Sequence, residues 1–187
     1  MLRAYGTDAF RIHGPREALS PPPVARRRSA VTLKIIRFLD VLLVTLAFGM
    51  TWCHVMEIAG KLRLSGPQWL AVQHHLYIAF GPPLGAPIEI ASIFLTWLVL
   101  FLVRARRPAV YWTFAAAVSA TIGLGVWFWL VAPMNAVLNG WTPQTLPAAW
   151  TSVRNQWEIG HAVRAGLFGF AFSALVIALL AETPMRS

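Results

Sequence analysis

Cysteine occurs once in this chain, at Cys53, and acidic side chains occur only seven times in 187 residues. A single cysteine excludes a disulfide framework and the paired spacing of a zinc finger. Other chemical signatures are missing as well. There is no phosphate-binding glycine loop, no dinucleotide fingerprint, no Cys-x-x-Cys-His and no nucleophile elbow. Charged residues of both signs make up 12% of the chain, about half of the roughly 25% usual for a soluble domain.

Apolar residues fill the gap, at 57%. They concentrate in four stretches, at about 38–59, 88–103, 109–133 and 161–181. Each is close to the ~20 residues that cross a hydrocarbon core about 30 Å thick. Spans in lipid must be helical, because the backbone finds no water there. The expected fold is therefore all-α: an antiparallel four-helix bundle in a membrane, occupying residues 31–183. Its two outer loops, 60–87 and 134–160, carry helix signals of their own. Ser65, Pro67 and Gln68 form a helix start, with Gly81-Pro82-Pro83 as its stop. Pro147 opens a helix that continues into the fourth span.

The net charge of +9 is an orientation signal rather than a nucleic-acid footprint. Eight basic residues precede the first span, from Arg3 to Lys34 and Arg37. Arg104, Arg106 and Arg107 lie between the second and third, and Arg186 follows the fourth. Only Lys61, Arg63, Arg154 and Arg164 lie on the other side. The positive-inside rule then puts both termini in the cytoplasm, of a bacterial inner membrane. Residues 1–30, rich in Arg and Pro, read as a disordered cytoplasmic tail. The first span is too long for a cleaved leader and reads as a retained anchor. Trp52, Trp69, Trp127, Trp129, Trp141, Trp150 and Trp157 fall towards the outer ends, as anchors or as a structured cap. Small residues at Ala115, Ser119 and Gly123, and at Ala165, Gly169 and Ser173, mark close helix contacts.

The few acids are not scattered. In "HVME" and "WEIGH", His54 and Glu57, and Glu158 and His161, stand three apart, on one helix face. Glu89 opens the second span and Asn135 closes the third. All lie at the outer level of the expected bundle. Such Glu/His spacing on helices builds dimetal sites, and imidazole and carboxylate suit iron, zinc or manganese. His54, Glu57, Glu89, Glu158 and His161 are thus candidate metal ligands. Copper enters through Cys53, Met50 and Met56, although Cys53 points away from His54 on the helix. A haem between His54 and His161 is a further alternative. Glu158, His161, Arg164 and Asn135 are candidate catalytic residues, with Arg154, Arg164 and Asn135 orienting the others or meeting an anionic oxygen. Two other readings stay open: a metal-free polar pocket, and a hydrogen-bonded structural cap. His74 and His75 are weaker candidates, of which at most one faces inward.

The segments around Pro133, Asn135 and Leu138, and around Arg154, Trp157, Glu158, Gly160, His161 and Arg164, resemble small four-helix membrane proteins grouped with anthrone oxygenases. Many of these are known only as a domain of unknown function. The resemblance covers about residues 35–182 and implies a four-helix membrane fold and, for some members, oxygenation of an aromatic polyketide. The expected partners are the lipid bilayer and a lipophilic small-molecule substrate, with no nucleic acid. The expected function is an oxidoreductase or oxygenase, metal-dependent in one version. The alternative is a non-catalytic subunit, scaffold or small-solute carrier in which the Glu/His cluster is structural.

Overall fold

A computed structural model describes residues 23–183. Among them every regular element is a helix: α1 (Pro23–Lys61), α2 (Gly66–His75), a 3₁₀ turn (Ile78–Phe80), α3 (Gly85–Val103), α4 (Ala109–Val126), a π-helical turn (Trp127–Val131), α5 (Ala132–Leu138) and α6 (Trp150–Leu180). Three stretches are long and apolar enough to cross a membrane: Ile78–Val103, Ala109–Leu138 and Trp150–Leu180. That is consistent with an integral membrane protein. The long helix α1 packs against α3 and α6, and α4 packs against the same two.

Several boundaries differ from the sequence reading. Residues 23–30, expected in the tail, form the first turns of α1. The rest of that tail, residues 1–22, lies outside the described residues, as does Arg186. At 39 residues, α1 is ~58 Å long, about twice the hydrocarbon thickness. The helix opened by Ser65 stops at His75, before the Gly-Pro-Pro signal, and a separate 3₁₀ turn follows. Its start is as expected: the Gln68 side-chain oxygen accepts the Ser65 backbone N–H at 3.0 Å. The last helix begins at Trp150 rather than at Pro147. The third span runs on to Leu138 through the π turn. Proline at position 133 lacks an N–H, and the wider π turn just before it accommodates the missing bond.

The core is made largely of small side chains. Ala47 of α1, Ala116 and Ala120 of α4, and Ala171 and Ala174 of α6 are buried around Phe168 and Leu175. Without a hydrophobic effect between helices in lipid, close backbone approach supplies the attraction. Ser119 donates to the Leu167 carbonyl across the α4–α6 contact at 2.9 Å. The expected row on α6 is only partly right. Ala165 is buried, but Ser173 is exposed, and Ala171, Ala174 and Ala178 carry the seam instead. The outer perimeter is apolar: Phe38, Phe94, Phe101 and Phe170 are exposed, more than a soluble monomer usually shows.

Near the expected cytoplasmic end, Arg37 pairs with Glu182 and donates to the Ala178 carbonyl at 3.1 Å, joining α1 to the end of α6. Arg106 approaches Glu182 at 3.8 Å. Thr96 of α3 donates to the buried Asp40 of α1 at 2.7 Å.

At the other end, Gly160 lets α6 lie directly on the π turn. A Cβ there would stand 2.7 Å from Val131 Cγ2 and 3.2 Å from Leu130 Cβ. Val131 is fully buried and β-branched, so it has little freedom to move. Gly160→Ala is expected to destabilise by roughly 1–3 kcal/mol, read as an earlier unfolding midpoint in detergent. An unchanged midpoint would mean that the contact relaxes.

Candidate functional site

The site is built where α1, α3, the π turn, α5 and α6 meet beneath α2. An aromatic cap covers it: Trp69 of α2 and Trp157 of α6 are buried with Val131 and Leu138, and Tyr77, Trp127, Trp141 and Trp150 pack around them. Two of the expected anchoring tryptophans are therefore interior residues. Asn135 accepts the Trp157 indole N–H at 2.8 Å, so it orients Trp157. His74 meets the Leu138 carbonyl at 3.2 Å, fastening α2 to α5, whereas His75 is exposed.

His54 and His161 come together, with ring centroids 4.1 Å apart, although 107 positions separate them in the chain. Trp157 stands edge-on to His54 at 4.8 Å, and Tyr77 does the same at 4.6 Å. The imidazoles touch each other, which leaves no space for a haem plane between them. Arg164 reaches His161 Nδ1 at 3.3 Å. A guanidinium only donates, so Nδ1 is the acceptor and the proton of a neutral His161 sits on Nε2.

Each carboxylate of the cluster has a cationic or phenolic partner. Glu89 pairs with Arg164. Glu158 meets the Lys61 ammonium at 2.8 Å. Glu57 accepts from the Tyr77 hydroxyl and from the Cys53 thiol at 3.4 Å, with Lys61 at 3.8 Å. Burial, and then the hydrogen bond to Glu57, push the Tyr77 phenol above its ordinary value, so it stays a proton donor. The His54–Glu57 separation is 3.9 Å, beyond a hydrogen bond.

Of the five candidate metal ligands, Glu57, Glu89 and Glu158 are turned towards these partners and His161 towards Arg164, while His54 Nδ1 has no partner. Among the described residues no three His, Cys, Asp or Glu side chains are placed to hold one metal ion. The copper set disperses too, because Cys53 is taken by Glu57 and Met56 is exposed. Arg154 bonds Asn155 and lies over Trp150, away from the cluster. Lys61 is the residue that sequence reading undervalued. It is buried, with its ammonium 4.8 Å from the Trp157 ring centroid. Its position four residues after Glu57 is the local signal for that pairing.

Beside the histidines lies a cavity of about 740 Å³, within the size range of small-molecule sites. His54, His161, Glu89 and Arg164 line its polar side; Trp127 and Phe128 line its apolar side. The arrangement defines a class: an all-helical protein of membrane-spanning character, with an aromatic-walled cavity backed by buried ion pairs. No family model, curated protein or solved structure matches the chain.

Proposed function

We propose that the chain forms an antiparallel four-helix bundle of a bacterial inner membrane, with both termini cytoplasmic and α1 as the remaining span. Its outer-leaflet cavity receives a lipophilic small molecule, which His161 hydrogen-bonds and from which His54 accepts a proton. The observation that carries this reading is the cavity of about 740 Å³ with two touching imidazoles in its wall. His161 donates a hydrogen bond from Nε2, which can orient a ligand oxygen. His54 Nδ1 has no hydrogen-bond partner and is the available base. Proton removal by His54 fits acid–base chemistry on an acidic C–H or O–H group; oxidation of that group would need an electron acceptor from outside the chain. A second reading, a purely structural cap, draws on the paired carboxylates, of which Lys61–Glu158 at 2.8 Å is the clearest.

A neutral fluorescent lipophile, N-phenyl-1-naphthylamine, separates the two. With the protein in nanodiscs it is expected to quench tryptophan emission saturably, at one site per chain, above the level of empty nanodiscs. Ala86 lines the cavity, and Ala86→Trp is expected to abolish that saturable part. Quenching equal to that of empty nanodiscs would refute the cavity reading and leave the cap.

A further inference from the structure

The polar atoms around the cavity do not all find partners within the protein. Glu89 Oε1, Gln73 Nε2, Arg164 Nε and His54 Nδ1 are buried without one, and all four residues line the cavity. Gln73 is 8% exposed and Arg164 4%. Buried polar groups are ordinarily satisfied, by protein, water or ligand. Gln73 Nε2 and Arg164 Nε can only donate, and ionised Glu89 Oε1 can only accept. A head group that satisfies them must both accept and donate.

Charge narrows the choice. The cluster holds three carboxylates, Glu57, Glu89 and Glu158, against two cations, Lys61 and Arg164, a balance of −1. An incoming carboxylate adds to the excess and offers Glu89 nothing. An ammonium suits Glu89 but leaves both donors unmet. A hydroxyl serves both sides, because one group carries a donor and two acceptor lone pairs. Of the two roles expected for Arg164, its contacts with Glu89 and His161 favour orienting the site over meeting an anionic oxygen of the ligand.

The apolar side says where the rest of the ligand goes. Ile78, Ile90 and Phe128 line the cavity, yet they are 64%, 58% and 63% exposed. They form an apolar lip between the 3₁₀ turn, α3 and the π turn, which faces acyl chains in the membrane arrangement proposed above. Resting on that proposed cavity function, we infer that its ligand is an uncharged lipid-phase alcohol. The hydroxyl sits among Gln73, Glu89 and Arg164, and the apolar chain leaves through the lip.

Competition against bound N-phenyl-1-naphthylamine tests this, with 1-dodecanol, dodecane, dodecylamine and dodecanoate added at equal mole fraction in the bilayer. Dodecanol is expected to displace the probe at least about tenfold better than dodecane or either ion, equivalent to ~1.4 kcal/mol. Equal displacement by dodecane, or better displacement by either ion, overturns the inference while the cavity reading stands. Failure of the probe itself to bind removes the cavity reading too. Gln73→Leu replaces an unpartnered buried amide by an apolar side chain and is expected to fold. In that variant the dodecanol preference over dodecane should fall towards one, and an unchanged preference refutes the assignment of Gln73. The wild-type series decides the alcohol question whatever the variant's folding.

Discussion

Lys61→Met is expected to lower unfolding stability in mixed micelles by about 3–5 kcal/mol, the usual cost of removing one partner from a buried ion pair. The Lys61 side chain is 4% exposed and that of Glu158 6%, with 2.8 Å between their charges. Methionine preserves much of the stem that packs on Trp157 but removes the ammonium. Glu158 would then be buried beside Glu57 with no cation of its own. The double variant Lys61→Met/Glu158→Gln removes the stranded charge and should recover most of the loss, since a buried pair contributes little net stability over a neutral replacement. A single variant within about 1 kcal/mol of wild type, the usual value of an exposed pair, would mean that water reaches this pair and that the cap is looser than described.

Arg164→Met should be comparably damaging, because it strands Glu89 in the same way. Arg164→Lys is the more informative change. The planar guanidinium holds Glu89 with one nitrogen and His161 Nδ1 with another, a fork that a single ammonium does not reproduce. Lysine preserves the charge beside Glu89 but leaves His161 Nδ1 without its donor, at roughly 1–3 kcal/mol. The tautomer gives a second readout. Nitrogen NMR of wild type should show a neutral His161 with its proton on Nε2, and Arg164→Lys should mix the tautomers. A wild-type His161 protonated at Nδ1 would contradict the hydrogen bond and, with it, the assignment of His161 Nε2–H as hydrogen-bond donor in the cavity.

Arg164 and Lys61 are marked unequally in the sequence. Arg164 follows Glu158 and His161 on one stripe of a helix. Lys61 stands at the end of an apolar run, where a charge is foremost a topology signal. A lysine at the end of an apolar run fits an interfacial charge as well as a buried one, and only the approach of α6 to α1 decides between them. Gln73 carried no local signal at all. It stands in a short outer helix, and the way α2 lies over the bundle puts it in the wall of the same cavity as Glu89.

Much was determined by the sequence itself. Helices and closed barrels are the two ways to satisfy the backbone in lipid, and unbroken apolar runs near 20 residues fit helices rather than short alternating strands, so the all-α class follows from composition and run length. The three-residue Glu/His spacing fixes shared faces, because helix geometry is local. The Ser65 helix start is likewise local, and it appears where its residues place it. What the helices do to one another was not local. The tertiary structure brought His54 against His161, gave each carboxylate a cationic or phenolic partner, and decided for a cap over plain anchoring at Trp69 and Trp157. The physical reason is that spacing specifies direction around one helix axis, whereas partners depend on the rotation and depth of neighbouring helices. Those are fixed by small-residue contacts such as Gly160 on Val131, whose consequences appear only when the helices are in place.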